Sequence, residues 1–152
     1  MIIRPYTYQD KPELVALLQL NIPKYFAPSE AADYEEYLEQ HAEHYFVLEV
    51  DGTLLGAGGF NLIENGEARI SWDFIHPDHQ GKGYGKQLTL FRINEIRKHP
   101  DVETIVVRTS QLVYPFYQKI GFELEKIEKD FWAEGFDLYQ LRNNNPGISL
   151  IC

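Results

Sequence analysis

The chain has 152 residues, 44% of them hydrophobic, which is enough for one domain with a substantial core. Its 14 basic and 23 acidic residues give a net charge of −9, which argues against a general nucleic-acid binder because phosphate binding needs a basic face. The one cysteine, Cys152, excludes an internal disulfide framework and a cysteine-based zinc site. The sequence shows neither a signal-peptide pattern nor an apolar run near the ~18 residues of a membrane span. We therefore expect a cytoplasmic protein with no metal, no membrane partner and no nucleic-acid partner.

The first third of the chain predicts one strand and two helices. Residues 1–6 alternate well enough for a short strand. Asp10 is expected to be the N-cap of a helix whose apolar residues continue at helical spacing to Ile22. Residues 21–29 contain two prolines and predict an irregular connection, and the acidic segment 31–43 predicts the second helix.

Three antiparallel strands are predicted next, because alternating segments are joined by two hairpin dipeptides. The strands are residues 45–50, 53–62 and 67–75, and the dipeptides are Asp51-Gly52 and Asn65-Gly66. The second of these strands contains Gly56, Gly58 and Gly59, which indicate a bulge or the close approach of another group.

The rest of the chain predicts two helices and three strands. In order, these are a helix at 84–98, a strand at 103–107, a short helix from Pro115 to Lys119 ended by Gly121, and strands at 122–128 and 136–141. Residues 143–152 form a polar tail that contains proline and glycine. Since no repeat or linker interrupts this order, we expect a single domain over residues 1–152, of mixed α/β class with a mainly antiparallel sheet.

A glycine-rich loop at residues 80–86 lies between the third hairpin strand and the long helix. Gly81, Gly83 and Gly85 leave a backbone with little side-chain cover at the start of that helix. A helix N-terminus presents free N–H groups and the positive end of the helix dipole, so the loop predicts a phosphate or pyrophosphate site.

Two common phosphate loops do not fit this spacing. A Walker loop needs a serine or threonine after its glycine and lysine, but Gln87 follows Gly85-Lys86. A dinucleotide fingerprint needs a different glycine spacing within a parallel βαβ unit, whereas the strands before this loop are linked by hairpins.

The pattern Gln80-x-x-Gly83-x-Gly85 resembles the acyl-CoA pyrophosphate loop of the GNAT N-acetyltransferases. Three other segments resemble that family in the same order: Ile3-Arg4, Phe74-Ile75-His76-Pro77, and Phe116-Tyr117-Gln118-Lys119-Ile120-Gly121-Phe122. Together they span roughly residues 1 to 142. The resemblance implies the GNAT acyl-CoA N-acyltransferase fold, with helices on both faces of a central splayed sheet, and acetyl-CoA as the acyl donor.

The resemblance also implies which residues contact the donor. These are Phe74, Ile75, Gln80, Gly81, Lys82, Gly83, Tyr84, Gly85, Lys86 and Ser110. The loop would hold the pyrophosphate, and the backbone at residues 74–75 would pair with the pantetheine arm like an added strand. Lys82 is equally compatible with an ordinary surface lysine. Ser110 departs from the family pattern, because many members carry an asparagine there.

Tyr117 and Asp73 are the candidate catalytic residues. The resemblance places Tyr117 beside the thioester sulfur, where it would protonate the leaving thiolate; alternatively, it is a core aromatic residue. One face of the central strand is expected to carry Glu67, Arg69, Ser71, Asp73 and Ile75. Asp73 would act as the base or would only shape the splay, and the amide of Ile75 would face the thioester oxygen.

The acceptor is expected to be a primary amine on a small molecule or peptide, acetylated by direct transfer in a ternary complex. Candidates to line its pocket are Tyr25, Phe26, Tyr34, Trp72 and Trp132, and the acidic residues Asp33, Glu35, Glu36 and Glu39 are candidates to attract a cation. The alternative is a non-catalytic acyl-CoA-binding sensor or interaction module of the same fold. The sequence leaves the oligomeric state open, a homodimer included.

Overall fold

The computed structural model describes residues 1–144, so positions 145–152 of the predicted tail lie outside the described residues. The strands are β1 Ile2–Pro5, β2 Tyr45–Val50, β3 Thr53–Ile63, β4 Glu67–Ile75, β5 Thr104–Thr109, β6 Glu123–Ala133 and β7 Phe136–Asn143. The helices are α1 Lys11–Gln19, α2 Glu30–Gln40, α3 Tyr84–Ile96 and α4 Tyr114–Ile120. The predicted order of elements is therefore confirmed within these residues.

The strands form one seven-stranded sheet in the order β1-β2-β3-β4-β5-β7-β6. Every neighbouring pair is antiparallel except β4 and β5, which run parallel. Their ladder is short, extending only from the pair Glu67 and Thr104 to the pair Ile70 and Val107. Beyond Ile70 the two central strands separate, which confirms the predicted mainly antiparallel, splayed sheet.

Helices cover both faces of the sheet, as expected. On one face α1 and α2 bury Leu14, Leu18 and Tyr34 against β2, β3 and β4. On the other face α3 and α4 contribute Leu88 and Tyr117 to a separate core. Among residues 1–144 no helix has the length and apolar character needed to cross a membrane.

α1 starts directly after Asp10, as predicted, but the role of the Asp10 side chain and the end of the helix differ from the prediction. The Asp10 carboxylate does not cap α1; it accepts hydrogen bonds from the Thr7 backbone N–H and from the guanidinium of Arg4. It therefore closes the turn before the helix. The helix ends at Gln19 rather than at Ile22, because a residue that precedes a proline, here Pro23, disfavours helical backbone angles.

The closing hairpin is longer than predicted. β6 continues to Ala133, which pairs with Phe136 across a turn at Gly135, where the sequence predicted an open loop. The extension carries Phe131 and Trp132 back over β5. This hairpin consequently forms one wall of the cavity described next.

Candidate active site

A cavity of about 1080 Å³ opens where β4 and β5 separate. At one end it is lined by the glycine loop and by Phe116 and Tyr117 of α4. At the other end it reaches Tyr37 of α2, Asn61 of β3 and Trp132 of the closing hairpin. The cavity therefore connects the predicted donor loop to the predicted acceptor side without interruption.

A bulge in β4 changes which side chains face the chemistry. Ala57 pairs with Phe74 and Gly59 with Ser71, so two residues of β4 oppose Gly58 alone. Within this bulge Trp72 has a φ of 45°. The prediction that Ser71 and Asp73 lie on the same face of β4 is therefore wrong. The extra residue reverses the alternation of side chains, so Asp73 lies on the face covered by α3 and Ser71 lies on the other face.

The glycines of β3 make room for this bulge, as predicted. A Cβ at Gly58 would lie 2.8 Å from the Cβ of Asp73, and one at Gly59 would lie 2.3 Å from the His44 carbonyl oxygen. Contacts under 3 Å are not tolerated between such atoms. A side chain at Gly58 would displace the bulge and with it Asp73, whereas one at Gly59 would push away His44 and Tyr45 at the start of β2.

The loop at residues 80–83 leads directly into α3. Gly81 and Gly83 have φ values of 78° and 86°, which glycine adopts far more readily than other residues. A Cβ at either position would meet no atom of the protein, so these glycines are needed for backbone conformation rather than for space within the fold. Because α3 begins at Tyr84, the first N–H groups of the helix lack intrahelical acceptors and can bind an anion.

The structure gathers all the predicted donor-binding residues around the cavity except Lys82. Those that line it are Phe74, Ile75, Gln80, Gly81, Gly83, Tyr84, Gly85, Lys86 and Ser110. The Nζ of Lys82 lies instead 3.4 Å from the Nδ1 of His79. In residues 1–144 no three His, Cys, Asp or Glu side chains are grouped in a way that would hold a metal ion.

The backbone of Ile75, not that of Phe74, faces the opening between β4 and β5. His76 donates its N–H to the Leu55 carbonyl of β3. Since backbone groups alternate along an antiparallel strand, Phe74 also points to β3 and Ile75 points away from it. The Nε2 of Gln80 donates to the Ile75 carbonyl at 3.3 Å, which fixes the glycine loop to the end of β4.

Ser110 closes the turn that begins α4. Its Oγ accepts the backbone N–H of Leu112 at 3.2 Å, and its carbonyl accepts the N–H of Tyr114 at 3.1 Å. The serine side chain thus takes a local structural role at a position where an amide was the expected family feature.

Arg92, Asp73 and Tyr117 form one cluster beneath the cavity. The Oδ2 of Asp73 accepts a hydrogen bond from the Nη2 of Arg92 at 2.8 Å and a short one from the Tyr117 hydroxyl. Arg92 is completely buried, and it also donates to the Gly59 carbonyl and to Thr89. Burial, followed by the nearby Asp73 charge, raises the pKa of Tyr117 well above that of a free phenol.

Arg92 was missed by the sequence reasoning. It lies four residues after Leu88 and four before Ile96, both of which are buried, so it is a charged residue on the apolar face of α3. An arginine in that position requires a buried counter-charge, because an unpaired buried charge is very costly. A charged residue on the apolar face of α3 therefore predicts a buried carboxylate partner, which in the structure is Asp73.

The acceptor end of the cavity is aromatic and carries two acidic residues that the sequence did not single out. Of the predicted aromatic candidates, Tyr25, Phe26, Trp72 and Trp132 line the cavity, whereas Tyr34 is fully buried elsewhere. The acidic residues at the cavity are Glu30 and Glu43. Those expected from the helix pattern, namely Asp33, Glu35, Glu36 and Glu39, do not line it.

Comparison with known proteins agrees with this geometry. A family model described as the GNAT acetyltransferase domain matches residues 8–142. A Bacillus subtilis (strain 168) protein assigned as a [ribosomal protein bS18]-alanine N-acetyltransferase is 30% identical over 105 residues, which cover 66% of this chain and 68% of the relative.

Solved structures share the fold. The ribosomal-protein-S18-alanine N-acetyltransferase from Escherichia coli has a TM-score of 0.76 at 18% identity, covering 93% of this chain and 91% of that one. An aminoglycoside 6'-N-acetyltransferase complexed with coenzyme A has a TM-score of 0.75 at 17% identity, covering 94% and 96%. The chain belongs to the GNAT family and is an acyltransferase of that family.

Proposed function

We propose that this protein is an N-acetyltransferase that moves an acetyl group from acetyl-CoA to a primary amine by direct transfer in a ternary complex. The observation that carries the proposal is the opening between β4 and β5, which ends at the glycine loop of α3. The N–H groups at the start of α3 would hold the pyrophosphate. The pantetheine arm would then enter between the strands, with the Ile75 backbone as its partner and its amide facing the thioester oxygen.

In the proposed reaction the amine nitrogen attacks the thioester carbon while both substrates are bound. A C–N bond forms, the C–S bond breaks, and the departing thiolate takes a proton from Tyr117. The proton released by the nitrogen leaves through a carboxylate or solvent and finally restores the phenol. No acyl-enzyme intermediate is needed, since the chain's only cysteine is Cys152.

Asp73 and Arg92 are proposed to position Tyr117 rather than to act on the amine. The Oδ2 of Asp73 already accepts hydrogen bonds from both neighbours. The raised pKa of Tyr117 keeps the phenol protonated at rest. A thiolate has a conjugate acid of pKa near ~8.5, so proton transfer to it requires that the phenolate left behind be stabilised. The Arg92 cation, which is held at the same oxygen, would offset the negative charge left on the phenol.

Glu30 is proposed as the group that takes the proton from the amine. It lines the cavity at the start of α2, and burial raises the pKa of its carboxyl above the ordinary value. A raised pKa makes a carboxylate a better base near neutral pH. Its Oε2 accepts the Ala27 N–H at 2.7 Å, which fixes the side chain in place.

A weakly basic acceptor amine suits this site. A peptide α-amine with a pKa near ~7.8 is neutral about once in seven at pH 7, whereas a lysine amine near ~10.4 is neutral about once in 2,500. The Bacillus subtilis relative is named for acetylation of an alanine in a ribosomal protein. We therefore infer a peptide α-amine, or another amine of low pKa, as the acceptor.

The test combines donor binding with turnover. Calorimetry should show CoA binding but no ATP binding. With acetyl-CoA, free thiol should be released faster with α-amine peptides than with peptides whose only amine is a lysine side chain. Absence of CoA binding would contradict the proposal outright. CoA binding without thiol release from any amine, aminoglycosides included, would instead support the alternative of a binding module.

A further inference from the structure

Arg108 lines the cavity and forms no direct ion pair with any carboxylate of residues 1–144. It lies near the end of β5, with its guanidinium 5.0 Å from the ring centre of Phe131 and 5.7 Å from that of Trp132. Its Nε is buried and has no hydrogen-bond partner among residues 1–144, and no carboxylate there forms an ion pair with it. The side chain as a whole is only partly buried and lines the cavity, so a ligand bound there can supply the anionic partner that the described residues do not.

Arg69 stands beside Arg108 on the neighbouring strand. Arg69 pairs with Val106, so Arg108, two residues later on β5, lies on the same face of the sheet. Both side chains line the cavity. Burial, followed by the charge of Arg69, lowers the pKa of Arg108, which shows that two cations have been brought close together.

The two other arginines on this face of the sheet, Arg69 and Arg142, form ion pairs with glutamates. The Nε of Arg69 pairs with Glu67 at 2.9 Å, so its charge is partly compensated, and the side chain is 41% exposed. Arg142, on β7, pairs with Glu125 at 3.1 Å and does not line the cavity. Among residues 1–144, Arg108 therefore forms no direct ion pair, although the charges of Glu128 and Glu67 are near enough to raise its pKa in part.

We propose that Arg108, supported by Arg69, binds a carboxylate of the acceptor molecule, and that the acceptor is a peptide with an acidic residue shortly after its α-amine. This rests on the proposed transferase function. The guanidinium lies against the rings of Phe131 and Trp132 at the cavity wall, and a guanidinium binds a carboxylate through charge-assisted hydrogen bonds. Glu30 and Glu43 also line the cavity, so an acceptor with a cationic amine and an anionic side chain matches the charges of the site.

The strand register sets the position of the acidic residue. Arg108 follows Val107, the partner of Ile70, and is therefore level with Ser71, four residues before Ile75. At a rise of ~3.3 Å per residue this is about 13 Å along β4 from the proposed reaction point, or less because of the bulge. An extended backbone covers about 13 Å in about four residues, and the lengths of the Arg108 and carboxylate side chains shorten the span that is needed. The carboxylate therefore belongs at the second, third or fourth position.

Binding of product peptides tests the inference without depending on turnover. Calorimetry with the full chain saturated with CoA would compare N-acetylated tetrapeptide amides that carry aspartate or asparagine at position 2, 3 or 4. We expect one aspartate peptide to bind about 10-fold or more tightly than its asparagine match. In Arg108→Met this ratio should fall towards one. In the control variant Lys98→Met, at an exposed residue after α3 that does not line the cavity, it should stay at the wild-type value.

Two further comparisons distinguish a peptide acceptor from a small acceptor and from a site that binds no carboxylate. A preference for N-acetylglutamate over N-acetylglutamine, without a preference among the peptides, would assign the carboxylate to a small acceptor instead. Equal binding of aspartate and asparagine peptides at all three positions by the wild-type protein would overturn the inference, and that result needs no variant to fold. Failure of all unacetylated peptides to release thiol would contradict the proposed transferase function, while the binding ratios would still decide the role of Arg108.

Discussion

Asp73 illustrates how a neighbouring side chain changes the chemistry available to a residue. Its place on the central strand made it a candidate base, yet its Oδ2 is shared between the Arg92 guanidinium and the Tyr117 hydroxyl. An oxygen with two donors already bound is poorly placed to receive a further proton. We therefore infer that Asp73 orients Tyr117 and that Arg92 holds Asp73.

Replacing Tyr117 with phenylalanine should remove the acid while keeping the ring packed against Phe122. Loss of a general acid costs about 10²–10⁴ in rate, so kcat should fall by that order while KM for acetyl-CoA changes only a few-fold. Steady-state thiol release across pH 6–9 measures both. Tyr114→Phe is the matched control, since Tyr114 stacks on Tyr139 and does not line the cavity. Wild-type turnover by Tyr117→Phe over the whole pH range would rule out the acid role.

Arg92→Met should destabilise the fold strongly. The substitution leaves the Asp73 carboxylate without its cation, and breaking a buried ion pair costs about 3–5 kcal/mol. Because the Asp73 side chain remains 26% exposed, we expect about 3 kcal/mol, measured by urea unfolding.

The double variant Asp73→Asn with Arg92→Met provides the control for this pair. It should be less destabilised than the sum of the two single variants, because it leaves no unpaired charge. Additive losses would mean that the two side chains contribute independently and that Arg92 is held by its other hydrogen bonds.

At the scale of the elements, the glycine loop depends on backbone conformation. Gly83 precedes α3 with a φ of 86°, and no protein atom lies near the Cβ that another residue would add. The expected effect of a substitution is therefore strain at the start of the helix, not a clash in the core.

Gly83→Val should weaken CoA binding at least about 10-fold without unfolding the protein, because valine is strongly disfavoured at positive φ. Calorimetry and thermal unfolding measure the two effects. Gly52→Val is the matched control: Gly52 has a φ of 81° and equal free space, but it lies in the hairpin between β2 and β3. The Gly52→Val variant should lose about as much stability as Gly83→Val but should bind CoA with the wild-type affinity. Tight CoA binding by Gly83→Val would contradict the assignment of the loop.

At the scale of the whole molecule, the core beneath α1 and α2 is rich in buried tyrosines. Tyr34 and Tyr45 exchange a hydrogen bond between their hydroxyls at 2.9 Å, and Tyr45 also donates to the Trp72 carbonyl of the bulge. Burial raises the pKa of Tyr37 to about 12, and it raises those of Tyr34 and Tyr45 as well. The folded state therefore favours the neutral phenols.

This predicts that stability is lost in alkali. A phenol with a raised pKa contributes its full stability below the unfolded value near ~10, and loses it as pH rises towards the folded value. Tyr37 alone accounts for about 3 kcal/mol between pH 10 and its folded pKa of about 12. Urea unfolding of Tyr37→Phe at pH 8 to 12 should show a shallower decline than wild type.

The exposed Tyr8 supplies the control for the alkaline series. Tyr8→Phe should follow the wild-type curve, because its ring is 84% exposed and folding hardly changes its surroundings. A decline in Tyr37→Phe as steep as in wild type would place the alkaline sensitivity in other groups.

The sequence by itself determined the order of the elements, the glycine loop before α3 and the position of the first two hairpins. Asp51-Gly52 and Asn65-Gly66 specify tight turns through local backbone preference, and Gly81 and Gly83 mark the loop in the same way. Alternation and helical spacing are properties of neighbouring residues, so they can be recognised without knowing the fold. The mixed α/β class follows from them.

Tertiary structure alone decided which side chains meet. The bulge at Trp72 arises from the pairing of β3 with β4, and it turns Asp73 towards Arg92 on a helix 19 residues further along the chain. Likewise Arg108 meets Trp132 only because the long hairpin folds back over β5. Such contacts depend on register and on packing between distant segments, which local periodicity does not encode. The glycine loop could therefore be predicted from the sequence, whereas the opposite end of the cavity, where Arg108 and Trp132 meet, could not.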